Sequence, residues 1–248
     1  MDIKAFQKYQ DESTNWLHKS RRDLMVSLLK NALNDSKSLS ILEIGAGVGQ
    51  NTVYLQKLGT VDVVEINEAG IEALRAIPNI RKIITQPIPF NLDESYDIIV
   101  AMDVLEHIQN DKMAISWMFN SLRPGGILLL TVPAYQWLFS EHDIALHHFR
   151  RYSIPKLNQI LPSNIDIIRC GYFNTMLFPM IALLRIYKNF LLKSKKNQTN
   201  FKAKKQSNSL PKPLDQFFRT ILRAEIYFIC KGINPPFGLS IFFIAKRI

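Results

Sequence analysis

The sequence of 248 residues has 47% apolar and 21% charged residues, which is typical of a globular chain that buries a substantial core in one domain, residues 1–248. Its net charge of +10 is local, because nine Lys or Arg and no acidic residue lie between Arg185 and Lys212. Two cysteines, Cys170 and Cys230, exclude a disulfide framework, and no apolar run approaches the roughly twenty residues of a membrane span. The N-terminus lacks an apolar stretch, so we expect a cytoplasmic protein without a signal peptide.

The chain begins with a predicted helical leader, residues 1–35. Within it, residues 13–33 show the period of an amphipathic helix. The positions predicted to face the core are Leu24, Leu28, Leu29 and Leu33.

A strand, a glycine turn and a helix follow the leader. Ile41–Ile44 is apolar and partly β-branched, and it is too short for a helix. Gly45, Gly47 and Gly49 come next, and an amphipathic helix starts near Gln50. Glycine lets the backbone approach a ligand, and the free N–H groups of a helix start form a polar cradle. The spacing differs from the G-x-G-x-x-G of dinucleotide sites, which disfavours an NAD-dependent oxidoreductase.

Two carboxylates accompany the glycine turn. Glu43 lies inside the first strand, and Glu65 ends a second predicted strand about twenty residues on, where an acid grips a ribose diol. An acid-x-Gly-x-Gly-x-Gly motif with this second acid resembles the class I S-adenosylmethionine (SAM)-dependent methyltransferases. The resemblance implies an α/β fold with a Rossmann-like seven-stranded sheet, an antiparallel last strand and SAM as the cofactor.

The leader and the third strand extend this resemblance. Trp16 followed by paired arginines resembles the leader of methyltransferases akin to the ubiquinone-biosynthesis O-methyltransferases, and the chain as a whole is similar to that group and to the methyltransferase type 11–12 group. There a helix arginine meets the methionyl carboxylate of SAM, a role implied for Arg22 or Arg21; a solvated basic helix face is the alternative. Many relatives place an Asp after the third strand to hold the adenine amino group, whereas this chain has Gln86, whose carbonyl can accept a hydrogen bond.

The segment Asp97–Ile108 resembles the family signature Φ-D-x-Φ-x-x-x-x-V-L-E-H-I. Because the carboxyl ends of strands face the ligand crevice in open α/β sheets, Met102 and Asp103 should lie beside the methionyl group, with Asp103 holding its ammonium. Glu106 and His107 either stabilise the turn or act in the site. The predicted cofactor-binding residues are Arg22, Glu43, Gly45, Ala46, Gly47, Glu65, Ile66, Gln86, Met102 and Asp103.

Substrate chemistry is expected in residues 134–152, which follow a buried fifth strand at Leu122–Pro133. This segment resembles the D-x-x-x-x-H-x-R-R-Y-S stretch of uncharacterised SAM-dependent methyltransferases. We predict that His148, Asp143 and Arg151 are catalytic. Imidazole titrates near neutrality, so His148 is the candidate base, and the paired arginines suit a carboxylate or phosphate on the acceptor. The alternative is a structured lid whose His and Arg side chains pack internally.

Two other patterns are set aside. His142, Asp143 and His147 lack a recognised ligand spacing, so we predict no metal centre. Asn234–Phe237 matches the N-P-P-F motif of amino-group methyltransferases, which must follow strand four. Here Asp103 occupies that place, so we interpret Asn234–Phe237 as a rigid turn.

A long insertion, residues 173–238, separates predicted strands six and seven. Its two apolar helices, 177–192 and 214–231, flank a basic stretch that we expect to be mobile. Residues 177–231 fit an anionic membrane surface, while packing over the domain or forming a dimer interface remain alternatives. Nucleic acid is disfavoured because no RNA-binding fold signal is present.

The function that follows is SAM-dependent methyl transfer, in line, to an oxygen atom of a small or lipid-linked acceptor. Proximity in a dry pocket supplies most of the acceleration. The alternatives are a SAM-binding regulatory or scaffold protein without turnover, and an NAD-dependent oxidoreductase.

Overall fold

The computed structural model describes residues 16–33, 38–194 and 211–248. Its strands are β1 (Leu39–Ile44), β2 (Gly59–Val64), β3 (Ile80–Ile84), β4 (Tyr96–Met102), β5 (Leu122–Pro133), β6 (Ile165–Phe173) and β7 (Ser240–Arg247). They form one sheet in the order β3-β2-β1-β4-β5-β7-β6, in which β7 runs antiparallel to β5 and β6 while the other neighbours are parallel. The expected Rossmann-like sheet with an antiparallel last strand is confirmed.

Helices cover the sheet. They are α1 (Trp16–Ala32), α2 (Thr52–Leu55), α3 (Glu68–Arg75), α4 (Asp111–Asn120), α5 (Glu141–Ala145), α6 (Ile154–Asn158), α7 (Phe178–Ser194) and α8 (Lys212–Cys230), with short 3-10 turns at Leu105–His107 and Gln136–Leu138. The predicted leader helix is α1, and the predicted insertion helices are α7 and α8. Helix α6 is capped by Ser153, whose hydroxyl accepts from the Lys156 N–H.

The central strands are apolar on both faces because helices pack on both sides of the sheet. In β1, Leu42 and Ile44 join one core cluster, whereas Ile41 joins the other. In β4, Ile99 faces the first cluster and Ile98 the second. The polar atoms that define a site therefore lie at the carboxyl ends of these strands.

The returning helix of the insertion, α8, packs against the leader helix α1. The ring centroids of Trp16 and Phe218 are 5.3 Å apart, and the backbone N–H of Trp16 donates to the Asp215 carboxylate. Asp23 lies 3.2 Å from the guanidinium groups of both Arg219 and Arg223. The second half of the insertion therefore covers the domain, while its predicted mobile basic stretch lies largely outside the described residues.

No helix in the described ranges combines the length and apolar character that crossing a bilayer requires. The amphipathic α8 instead buries one stripe of apolar side chains. Those with at most 5% exposure are Leu222, Ile226 and Ile229.

The packing of α8 predicts a difference between two leucines on the same helix. Leu222 is fully buried and Leu214 is 44% exposed. We expect Leu222→Ala to lower the free energy of unfolding by about 2–5 kcal/mol, because it leaves a cavity under the helix. Leu214→Ala, the matched control, should change it by about 0.5 kcal/mol or less. Urea unfolding followed by circular dichroism measures both, and equal effects would show that α8 is not part of the core.

Candidate cofactor and acceptor site

The turn after β1 has a backbone that glycine tolerates better than other residues. Gly45, Gly47 and Gly49 have φ of 69°, 57° and 76°, all in the left-handed region. A Cβ added at Gly45 would lie 2.6 Å from a methyl group of Val104. The turn therefore presents bare backbone at the carboxyl edge of the sheet, as the motif predicted.

The carboxylate of Glu65, just beyond β2, is held against this turn. Its Oε2 accepts a hydrogen bond of 2.7 Å from the Gly47 N–H, and its Oε1 accepts from the N–H groups of Ile66 and Asn67. The predicted acid therefore lies beside the bare backbone, where ligand hydroxyl groups can donate to its oxygens.

Glu43 supports the turn from inside the core. It is 2% exposed, and the Thr52 hydroxyl donates to it over 2.5 Å. Burial raises the pKa of Glu43 to about 7, against the smaller opposing effects of its hydrogen bonds. This carboxyl group ties β1 to the start of α2 and has almost no surface for a ligand.

Opposite charges meet where β4 ends. Arg21 of α1 lies 2.6 Å from Asp103, and it also donates to Ser240. Asp103 has a left-handed φ of 55°, and both its N–H and its carboxylate are bonded to Thr131 of β5. This backbone turns the Asp103 carboxylate towards the leader helix.

Arg22 lies elsewhere. Its guanidinium group donates to Gln50 over 3.1 Å and lies 4.8 Å from the centre of the Tyr54 ring. Of the two arginines that the sequence left open, the structure therefore places Arg21 against Asp103.

One half-buried side chain beside this pair was missed by sequence analysis. His18 lies one helical turn before Arg21, and burial followed by the charge of Arg21 lowers its pKa to about 4. The spacing of three residues on an amphipathic helix was the signal that could have found it.

The side chains of the four remaining predicted cofactor residues make few polar contacts. Gln86 is exposed after β3, and Ile66 is 64% exposed beside the glycine turn. The sulfur of Met102 lies 3.8 Å from the Thr131 hydroxyl, and Ala46 is buried within the turn.

The three predicted catalytic residues meet in residues 134–152. Asp143 is fully buried, and its Oδ1 lies 3.0 Å from Nδ1 of His148 and 2.7 Å from Nε of Arg151. Its Oδ2 accepts from the Ser140 N–H. Burial alone would raise the pKa of Asp143, but the hydrogen bonds from His148 and Arg151 hold this pKa below its usual range. Asp143 is therefore an ionised anchor that orients both side chains.

The two arginines have internal partners. Arg151 is 5% exposed and also donates to the Ala134 carbonyl oxygen. Arg150 pairs with Asp111 at 2.7 Å. For the arginines, these contacts match the alternative of a structured lid rather than an open anion site.

A second polar cluster lies beside His148, at the 3-10 turn after β4. The rings of His107 and His148 meet edge to face with centroids 4.6 Å apart. Glu106 is 1% exposed, and neither of its carboxylate oxygens has a hydrogen-bond partner within the described ranges. Burial, and then the charge of Asp103, raises the pKa of Glu106 well above its usual value. Sequence analysis left the roles of Glu106 and His107 open, because motif spacing does not reveal an unpaired carboxyl group.

Aromatic rings form a wall on the β5 side of the site. Tyr135 stacks on Tyr172 with centroids 5.2 Å apart, and Phe178 lies 5.5 Å from Tyr135. Phe237, at the end of the N-P-P-F turn, contacts Phe178. Trp137 beside this wall is 52% exposed, so an apolar surface faces solvent here.

Comparison with known proteins gives a family match and several relatives. A sequence model described as a methyltransferase domain matches residues 16–167. The ubiquinone biosynthesis O-methyltransferase of Rickettsia canadensis (strain McKiel) is 22% identical over 149 residues, covering 53% of this chain and 63% of that protein. The mitochondrial ubiquinone biosynthesis O-methyltransferase of Dictyostelium discoideum is 21% identical, covering 48% and 47%. The chain thus spans less than two thirds of the length of these curated relatives.

Solved structures share the fold. An N-methyltransferase from Bradyrhizobium japonicum WM9 in complex with S-adenosyl-L-homocysteine (SAH) superposes with a TM-score of 0.52 at 20% identity, covering 65% of this chain and 81% of that one. The plantazolicin methyltransferase in complex with SAH gives 0.58 at 12% identity, covering 97% and 88%. Both likenesses support the fold.

The buried Glu43 predicts a pH dependence of stability. Its pKa of about 7 in the folded state exceeds the usual 4.5, so the folded state binds its proton more tightly than the unfolded state. Stability contributed by this group is therefore full below about pH 4.5 and is lost as the pH rises to about 7, by roughly 3 kcal/mol.

Glu43→Gln keeps an oxygen for Thr52 but cannot ionise. We expect the difference in unfolding free energy between variant and wild type to grow in favour of the variant over this range; a difference independent of pH would contradict the assignment.

Proposed function

Because this chain belongs to the methyltransferase domain family, we propose that it transfers the methyl group of SAM to an oxygen atom of a small or lipid-linked acceptor. The observation that carries the proposal is the pairing of a bare glycine turn with the Glu65 carboxylate across it. Two of the relatives carry names of O-methyltransferases, and two structures of this fold are complexes with SAH. None of these findings supports the two alternatives, an NAD-dependent oxidoreductase and a SAM-binding scaffold protein without turnover.

The charges at the carboxyl edge of the sheet fit the SAM cofactor. Its amino-acid end carries an ammonium and a carboxylate, and the Arg21–Asp103 pair presents the two complementary charges. Glu65 would accept from the ribose hydroxyls, and the bare backbone of Gly47, whose N–H donates to Glu65, would let the nucleoside approach closely. When bound, SAM supplies an electrophilic methyl group on a positively charged sulfur atom.

Arg21 and Asp103 would then exchange partners. In the described structure each neutralises the other at 2.6 Å. In the complex, Arg21 would donate to the carboxylate of SAM while Asp103 would accept from its ammonium. Each charge keeps a partner, so the exchange leaves no ion unpaired in this partly buried position.

The acceptor hydroxyl must lose its proton, and His148 is the group we assign to this step. Its Nδ1–H donates to Asp143, which leaves Nε2 with a free lone pair on the other side of the ring. An imidazole held by a buried carboxylate is the arrangement of a general base. Asp143 positions the ring, and Arg151 keeps Asp143 ionised.

The acceptor side is apolar, which supports a small aromatic or lipid-linked substrate. The aromatic wall around Tyr135 and Phe178 continues into α7 of the insertion. Exposed apolar side chains on that helix include Met180, Leu183, Ile186 and Tyr187. Together with the basic sequence that follows α7, this face suits an anionic membrane surface from which such an acceptor is drawn.

The two arginines of α1 give the sharpest test of the cofactor site. Arg21→Ala should weaken SAH binding roughly 10- to 100-fold, since it removes a charged hydrogen-bond donor. Arg22→Ala, the control one position away, should weaken it much less, because Arg22 contacts Gln50 and Tyr54. Isothermal titration calorimetry measures both, and unchanged affinity in both variants would remove the proposed site.

The role of His148 is tested by turnover rather than by binding. Purified protein with radiolabelled SAM and cell-extract fractions identifies an acceptor by methyl incorporation. With that acceptor, His148→Ala should lower kcat by about 100-fold or more while SAH affinity stays the same. His142→Gln, in the same segment but outside the Asp143 contacts, is the matched control. Full turnover in His148→Ala would exclude the assignment.

A further inference from the structure

One arginine of the insertion reaches the buried carboxylate of Asp143. Arg185 of α7 donates to the Leu138 carbonyl oxygen over 2.8 Å, and its guanidinium group lies 3.5 Å from Oδ2 of Asp143. We propose that Arg185 is a positioning residue for methyl transfer, which acts on His148 through the Asp143 carboxylate. The inference rests on the proposed function, because that function assigns His148 as the general base. Through this contact, α7 of the insertion becomes part of the acceptor site.

The start of α7 is fixed to the domain by polar and aromatic contacts. The backbone N–H of Thr175, just after β6, donates to the two carboxylate oxygens of Glu225 over 3.0 and 3.1 Å. The Thr175 hydroxyl donates to the Phe237 carbonyl oxygen. The ring centroid of Phe178, in the first turn of α7, lies 5.5 Å from that of Tyr135 and 5.4 Å from that of Phe237. These contacts set the direction in which α7 leaves the sheet.

Arg185 lies on the face of α7 that these contacts turn inward. Phe178, Ala182 and Arg185 follow one another at spacings of four and three residues, which place them on one face of a helix. Ala182 is 6% exposed, whereas Leu183 is 67% exposed on the face that points away. The Arg185 side chain is 22% exposed, so most of its length is covered by the segment 136–143 and by α7 itself.

The Arg185 guanidinium group keeps its charge in this partly buried position. Burial, and then the charge of Arg151, lowers the pKa of Arg185 to about 10, while the charge of Asp143 acts in the opposite direction. This pKa lies well above neutrality, so the side chain is positively charged at neutral pH. The Leu138 carbonyl oxygen and the Asp143 carboxylate are the acceptors that stabilise the charge there.

The two contacts of Arg185 span the bend that carries Asp143. Leu138 is the last residue of the 3-10 turn, and Asp143 lies in the first turn of α5. Arg185 joins these two points from a separate element, so the bend between them cannot open without breaking a charge-assisted hydrogen bond. Leu138 is fully buried, so its carbonyl oxygen needs such a donor.

The two oxygens of the Asp143 carboxylate have different neighbours. Oδ2 accepts from the Ser140 N–H and faces Arg185. Oδ1 contacts Nδ1 of His148 and Nε of Arg151. The groups around Oδ2 resist rotation of the carboxylate, and this keeps Oδ1 aligned with the His148 ring. Because general-base catalysis depends on the direction of that ring, a small displacement lowers the rate of transfer more than it lowers binding.

The kinetic test uses the full chain and the acceptor identified with radiolabelled SAM. Arg185→Met keeps the apolar stem of the side chain but removes its charge and its hydrogen-bond donors. We expect kcat to fall by about 10-fold, while KM for the acceptor and SAH affinity stay unchanged. Arg185→Lys restores the charge without the planar guanidinium group and should recover part of the rate. Lys156→Met removes an exposed positive charge from α6 and should keep wild-type kcat.

A second measurement needs no acceptor. The Nδ1–H proton of His148 donates to the buried Asp143, so it should exchange slowly with water and give its own signal in NMR spectra of histidine-labelled protein. His148→Ala assigns the signal by its loss. Arg185→Met should make this proton exchange several times faster, because the carboxylate that holds it is less constrained. Lys156→Met should leave the exchange rate unchanged.

Three results would overturn the inference. They are wild-type kcat in Arg185→Met, an equal loss of kcat in Lys156→Met, and a His148 proton that exchanges at the wild-type rate in Arg185→Met. Each leaves the proposed function standing if His148→Ala still loses turnover. Full turnover in His148→Ala removes the general base instead, and with it the route from Arg185 to the chemistry. Loss of SAH binding by the wild type contradicts the proposed function alone, because the proton-exchange measurement does not use the cofactor.

Discussion

The hydrogen bond from the Gly47 N–H to the Glu65 carboxylate joins the exits of β1 and β2, and the cofactor side of the molecule depends on it. Its donor is available because the glycine turn takes a left-handed path that side chains resist. Its acceptor is held in place by two more backbone N–H groups, those of Ile66 and Asn67. The glycine turn and the end of β2 thereby form one preformed surface, which reduces the entropy lost when a ligand binds.

The proposed acceptor side depends on a different feature, the buried carboxylate of Asp143. Asp143 gathers His148, Arg151 and the backbone of Ser140 around one carboxylate, so its neighbours cannot move independently. Such a network is costly to bury and strongly destabilised when one member is removed. Its value lies in fixing the direction of the His148 ring, which we propose as the general base.

The sheet and the glycine turn beside the Glu65 carboxylate were predictable because they depend on local pattern. The apolar strands, the glycine spacing, and the acids at positions 43 and 65 are encoded within short stretches of sequence. The choice between Arg21 and Arg22 was not predictable, since adjacent helix residues differ by about 100° in direction and only tertiary packing decides which one meets Asp103. Among the described residues, neither carboxylate oxygen of Glu106 has a hydrogen-bond partner. This could not be predicted from the sequence either, because hydrogen-bond pairing depends on the assembled fold.

The contact between α1 and α8 has a mechanical consequence. Asp23, paired with Arg219 and Arg223 of α8, lies two positions after Arg21, so α8 packs on the same helix that presents Arg21 to Asp103. The second half of the insertion therefore helps to position α1 at the carboxyl edge of the sheet, so the proposed role of Arg21 in cofactor binding depends on this packing as well.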